Sequence, residues 1–199
     1  ECDWSSDVCS SDLIVYRMAA LFSVDAFSGG LIVQSMLALW LFQAFGLSVT
    51  ETASLFFWTN LCSAASMFAA APLARRIGLV RTMVFTHVPA SILLVLVALA
   101  PNVWLAMSLF VLRGLLSQMD VPVRTSYVMA VVSPAERAAA ASITNVPRSL
   151  ASALPPMLAG WMLDQSTFGW PLLMCAALKI TYDLLLLRMF KDVRPPEER

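Results

Sequence analysis

Arg113, Asp120, Arg124 and Arg148 are ionised side chains set within or beside the apolar runs of a 199-residue chain that is 59% hydrophobic and only 13% charged. A charge held at mid-depth in a bilayer costs at least a few kcal/mol, so these side chains require compensation. It can come from pairing between helices or from a polar, water-accessible path between them. Asp120 and Arg124 are four residues apart and touch if the segment is helical, and Arg113, seven before Asp120, falls on the same face. Gln118 lies next to Asp120, and Asn145 and Arg148, on the following apolar run, are placed to reach the same region. Asp25, in LFSVDAF, is a second carboxylate of this kind.

At 1.5 Å per helical residue, Asp25 and Asp120 lie about 16 Å and about 18 Å from the same ends of their runs, a common depth. Of two carboxylates facing each other there, one paired with Arg124 stays ionised. The other, desolvated and unpaired, is the one to take up and release a proton. We expect Asp25 in that role, with Arg113 or Arg124 as its partner or as an anchor for a solute. Lys179 and Asp183, also four apart and with Tyr182 between them, read as a structural ion pair in which each charge offsets the other.

These side chains must be positioned by membrane helices, because soluble domains average about 25% charged residues, well above this chain. The formal net charge of zero argues against nucleic acid, which needs an excess of Lys and Arg on one face. Four cysteines are too few and scattered for a disulfide scaffold, with Cys62 and Cys175 inside apolar runs. The single histidine, His87, makes no two-histidine metal site, and no cofactor or metal motif accompanies it. No G-x-x-x-x-G-K-[ST] phosphate loop is present.

Residues 1–12, ECDWSSDVCSSD, differ in composition from the rest of the chain and repeat an SSD unit. They are expected to be a non-native or disordered leader. Residues 13–190 then divide into a domain of six expected spans, and 191–199 form a polar tail. The first span, from Leu13 to about Phe45, exceeds the roughly 20 residues a bilayer needs, and Gly29-Gly30 is its natural break. There the glycines either loosen the helix beside Asp25 or let a neighbouring helix approach closely. The second span runs from about Thr52 to Leu73, the third from about Met83 to Ala100, and the fourth from Val103 to about Val132. Ser133-Pro134-Ala135-Glu136-Arg137 reads as a turn and cap before the fifth, ending near Leu163; the sixth ends near Phe190. Trp40, Trp161 and Trp170 are expected in the outer aromatic belt. Basic loops holding Arg75, Arg76, Arg81 and Arg137 alternate with loops lacking Lys and Arg, which predicts both termini in the cytoplasm.

The second and fifth spans share TNLCSAAS at 59–66 and TNVPRSLAS at 144–152, and the first and fourth are both overlong with a buried Asp. Two units of three spans inserted with opposite sense would account for this. Over residues 14–190 the chain resembles the C-terminal six-helix half of a major facilitator superfamily transporter. In APLARRIGLVRTM, Arg76 and Gly78 match the superfamily's short-loop motif G-x-x-x-D-R-x-G-R-[KR]. Ala71, Arg75 and Leu79 depart from it, which removes the acid of a gating salt bridge. Arg113 through SPAERAAAASITN to LPPMLAGWML is similar to the superfamily's long helix, P-x-E-R turn and following helix.

The resemblance implies an all-α bundle of six transmembrane helices with a 3+3 inverted repeat, completed by an N-terminal six-helix half. It implies the first and fourth spans as cavity linings. The expected function is secondary active, proton-coupled transport of a small solute by alternating access in the plasma or inner membrane, without a cofactor. A membrane-embedded enzyme or a membrane scaffold or sensor are the alternatives; the chain lacks a G-x-S-x-G nucleophile motif or paired histidines for the first and an appended domain for the second.

Overall fold

The computed structural model describes residues 4–132 and 137–190, and every regular element in them is helical. The order is α1 (Trp4–Gly30), α2 (Gln34–Phe45), α3 (Val49–Ile77), α4 (Leu79–Ala98), α5 (Val103–Ser117), α6 (Asp120–Val131), α7 (Arg137–Ala153), α8 (Pro155–Gln165) and α9 (Trp170–Phe190). Residues 133–136 of the expected turn, and the tail, lie outside the described residues. Helix α1 reaches back to Trp4. Once a long apolar helix has nucleated, adding residues at its end is cheap even for Ser and Asp.

Local chemistry sets the boundaries. Gly46, at φ 68°, ends α2, and Ser48 with Glu51 forms a capping box that starts α3. Asn102 opens α5 by accepting the Leu105 N–H at 2.9 Å. Gly78, at φ 91°, separates α3 from α4 with a backbone conformation that side-chain-bearing residues avoid.

Three of the expected spans are broken, each for its own reason. Between α1 and α2 the chain turns through 31–33, with Leu31 N–H on the Ser28 carbonyl and Ile32 N–H on that of Gly29, both at 3.2 Å. Pro122, in the first turn of α6, cannot bond back to Gln118 and its ring crowds that carbonyl, which separates α5 from α6. Pro155 and Pro156 open α8 and divide it from α7. Four segments are long and apolar enough to cross a membrane: Val15–Phe45 with its turn, Val49–Ile77, Leu79–Ala98 and Trp170–Phe190. The expected fourth and fifth spans are instead helices of 15 and 12, and 17 and 11 residues. None of these crosses alone, since a hydrocarbon core of about 30 Å needs about 20 helical residues.

Helix packing follows a symmetric scheme. α1 packs on α7 as α3 packs on α5; α4 meets α5 and α6 as α9 meets α1; and α4 packs on α9. Exchanging the first three expected spans for the last three maps this scheme onto itself. Two apolar clusters form along the helices. One holds Phe22, Met83, Tyr127, Leu186 and their neighbours, the other Leu31, Leu94, Phe110 and Cys175 with theirs. Trp40 belongs to the second cluster at 2% exposure rather than to a surface belt, because Phe45 stacks edge-on against it and Gly169 lies on its ring. Trp161 and Trp170 are exposed.

Candidate functional site

Between the two clusters, each core helix carries an ionisable residue where its apolar pattern is interrupted. On α1 this is Asp25, after Phe22 and before Leu31; on α4, His87, after Val84 and before Leu94; on α9, Lys179 and Asp183, after Ala176 and before Leu186. Helix α6 adds Asp120 at its start and Arg124 one turn on. All six are buried.

They form one continuous network. Lys179 Nζ donates to Asp25 Oδ1 at 2.6 Å, and Arg124 Nη1 donates to Asp25 Oδ2 at 2.9 Å, so the Asp25 carboxylate is held by a different cation at each oxygen. Arg124 Nη1 also lies 3.5 Å from Asp120 Oδ2, and its guanidinium stacks on the Phe22 ring. Lys179 Nζ stands 3.2 Å from His87 Nε2, and His87 Nδ1 stands 3.0 Å from Asp183 Oδ1. An ammonium has only donors, so His87 Nε2 accepts and the ring proton sits on Nδ1, donating to Asp183. The ring is thus neutral in this arrangement and relays between a cation and a carboxylate. The second oxygen of Asp183 is buried with no hydrogen-bond partner.

The network forms one side of a cavity of about 440 Å³. Asp25, His87, Asp120, Arg124 and Lys179 face it from that side; Arg113, Ser117, Gln118, Arg148, Ser149 and Ser152 line the rest, with Thr59, Asn60 and Ser63 of α3 and Gln34 of α2. The helices behind Arg113 and Arg148 approach their neighbours closely. A Cβ added at Gly114 would lie 2.9 Å from the Thr59 carbonyl, and Ser63 donates to the Gly114 carbonyl at 3.0 Å. A Cβ at Gly30 would lie 2.8 Å from the Ser152 carbonyl and 3.0 Å from Pro155 Cγ, whereas one at Gly29 would meet nothing within 4 Å. The two readings of this glycine pair therefore divide between its members: Gly30 admits α7, and Gly29 faces the cavity where α1 ends.

Interrupted helices around a buried charge network and a polar cavity fit a known architecture, and residues 18–199 match the Major Facilitator Superfamily. The chain belongs to this superfamily. Over 181 residues it is also 24% identical to the uncharacterized membrane protein YJR124C of Saccharomyces cerevisiae, an alignment covering 90% of this chain and 40% of that protein. The chain thus spans less than half the length of this curated relative. Superfamily membership, the apolar helices and the membrane-protein relative together make it a membrane protein.

For this superfamily member, Asp25, Arg113, Gln118, Asp120, Arg124 and Arg148 of the expected set do line one cavity. Asn145 does not: it is exposed and outside the lining, while Asn60, its counterpart in the repeated TN motif, is part of it. Arg113 and Asp120 do not share a helical face, because the chain breaks between α5 and α6. Asp25 pairs with Arg124 and not with Arg113, and Lys179 holds its other oxygen, so Asp25 is not the unpaired carboxylate of the two. Lys179 and Asp183 do not pair with each other. Lysine crosses to Asp25 and His87 separates the two, since partners on other helices reach closer than the i, i+4 spacing does. Arg75, Arg76 and Arg81 are exposed, and among the described ion pairs none involves them.

Motif and spacing arguments treat His87 only as a metal ligand and Lys179 only as half of a local pair. The signal that marks both is their position: an ionisable group in the middle of an apolar helix is a functional candidate whatever its immediate sequence neighbours.

Proposed function

We propose that the chain is one six-crossing half of a secondary transporter that moves a small solute by alternating access, coupled to protons through Asp25. The observation that carries this reading is the cavity itself. It is polar and solute-sized, lies between two apolar clusters, and meets buried charges contributed by α1, α4, α6 and α9. Helices α1 and α2, α5 and α6, and α7 and α8 each make one interrupted crossing, which with α3, α4 and α9 gives six. The exchange symmetry of the packing supports two three-crossing repeats of opposite sense, and interrupted helices at a repeat interface are where such proteins place solute and coupling-ion sites. In this reading a second half of similar size completes the path, and Arg75, Arg76 and Arg81 around the α3–α4 junction support cytoplasmic termini in a plasma or inner membrane.

Coupling follows from the two-cation grip on Asp25. Ionised, the carboxylate ties α1 to α6 and α9. Two cations hold the carboxylate ionised, so a proton binds there only as Arg124 or Lys179 moves away; once bound, it removes the charge that drew them, so α1 stays released from α6 and α9 and the packing is free to rock. The test is solute-driven proton movement into vesicles carrying a luminal pH-sensitive dye, under an imposed pH gradient. Wild type is expected to show solute-dependent acidification, and Asp25→Asn to lose about tenfold or more of it while remaining folded. Asp25→Asn with unchanged coupled flux would remove Asp25 from the mechanism.

A further inference from the structure

We propose that Arg113 and Arg148 form an anion-binding subsite, so that the solute is a small organic or inorganic anion carrying a carboxylate or phosphate group. The inference deepens the transport reading and rests on it for the purpose of the cavity. Its basis is the distribution of charge around the cavity. Both carboxylates that line it, Asp25 and Asp120, are committed to Arg124 and Lys179, and Asp183 behind them is committed to His87. Arg113 and Arg148 line the same cavity with no carboxylate among the described ion pairs, and the Nε of each is buried with no hydrogen-bond partner among the described residues. The Arg113 guanidinium has a stacking contact with the Phe110 ring, centroid 5.6 Å away, which orients it without neutralising it. Guanidiniums without an ion-paired carboxylate are costly in a membrane interior, and a bound anion supplies the direct partner that Arg113 and half-buried Arg148 lack among the described ion pairs.

Guanidinium is also the group suited to this task. It stays charged under all physiological conditions and presents its N–H donors in a planar fork that matches two oxygens of a carboxylate or phosphate. The cavity volume of about 440 Å³ limits the ligand to a metabolite-sized molecule. Asn60 and Gln34, also in the lining and 3.5 Å apart through Gln34 Nε2 and Asn60 Oδ1, offer amide partners to its polar body.

The test is thermal unfolding of the purified chain in neutral detergent at fixed ionic strength, titrated with inorganic phosphate, succinate, uncharged succinamide or tetramethylammonium. Phosphate, succinate or both should raise the unfolding midpoint, with the uncharged and cationic probes inert; which of the two acts separates phosphate from carboxylate recognition. Arg113→Gln and Arg148→Gln should each weaken the effect about tenfold or more, as loss of a charge-assisted hydrogen bond does. Arg188→Gln, on the exposed last turn of α9, should leave it unchanged.

Without ligand, Arg113→Gln should unfold at or above the wild-type midpoint, because it removes an uncompensated charge. Equal shifts from succinamide, no shift from either anion, equal loss in Arg188→Gln, or a ligand-free Arg113→Gln that is strongly destabilised would each overturn the proposal. Anion binding that depends on Arg113, with no flux of that anion in vesicles, would leave the subsite standing and remove the transport reading. Flux of neutral or cationic solutes without anion binding would do the reverse.

Discussion

On one side of the cavity Asp25 is gripped by Lys179 and Arg124, and His87 joins Lys179 to Asp183. On the other side Arg113 and Arg148 have no ionic partner among the described ion pairs; α5 is seated on α3 through its Gly114, and α7 is seated against Gly30 of α1. The first side is positioned by charge and the second by shape. A charge fixed by other charges contributes to holding the helices together and is unavailable to a ligand. One carried on a helix that is seated by close approach at a glycine, its own or its neighbour's, keeps its valence free.

The largest test of this contrast is Asp25→Ala. It takes a partner from two buried cations at once, leaving Arg124 with Asp120 and Lys179 with no carboxylate among the described ion pairs, and removing one member of a buried ion pair costs about 3–5 kcal/mol. Unfolding in a graded denaturing detergent should show a loss of that order. Combining it with Lys179→Met, which removes one of those cations, should recover part of the loss. If the double variant is no more stable than the single, Lys179 draws its stability from somewhere other than Asp25.

His87→Phe comes next. It preserves a ring against Tyr182, whose ring centroid lies 6.1 Å from that of His87, but deletes both nitrogens. Asp183 Oδ1 is then left buried beside an oxygen that already lacks a partner, at a cost of about 1–3 kcal/mol. His87→Phe with Asp183→Leu should be more stable than His87→Phe alone, and the same denaturation series measures both.

On the side held by shape, Gly114→Ala should cost about 1–3 kcal/mol, since the new methyl meets the Thr59 carbonyl at 2.9 Å and α5 must move off α3. Gly29→Ala, with nothing within 4 Å of its methyl, should be neutral or gain up to about 1 kcal/mol from helix propensity. Similar effects at the two glycines would mean that close approach does not seat these helices.

Much of this arrangement is legible in the sequence, for a physical reason. Asp25, Asp120 and Arg124 stand out in apolar text because a membrane tolerates so few charges, and Gly29-Gly30 and Pro122 mark breaks by backbone chemistry alone. Partner choice is what stays hidden. Spacing pairs Asp120 with Arg124, as observed, but also Lys179 with Asp183, and a local helical pair contributes only about 0.2–0.5 kcal/mol. Cross-helix partners in a low-dielectric layer easily outweigh that, and which helices face each other is a property of tertiary packing. His87 is the clearest case. A lone histidine has no motif, and its role exists only because α4 lies between α9 and the break in α5–α6. The likeness between TNLCSAAS and TNVPRSLAS predicts equal roles for Asn60 and Asn145, but it does not fix which way each side chain faces, and only Asn60 reaches the cavity.

The smallest expected effect divides the two sides most sharply. Arg113→Gln and Arg124→Gln are the same chemical change on two cavity-lining arginines. Arg124 bonds Asp25, lies beside Asp120 and stacks on Phe22, so its loss leaves two buried carboxylates short of a cation and should cost about 3–5 kcal/mol. Arg113 has a ring contact but no carboxylate, so its replacement by a neutral amide should leave unfolding within about 0.5 kcal/mol of wild type or raise it. Unfolding of the two variants side by side, without added anion, is the measurement. Equal losses would show that Arg113 is as structural as Arg124 and that the two sides are held by the same force. A near-zero effect at Arg113 beside a large one at Arg124 would mean that the charge on the glycine-seated side serves something other than the fold.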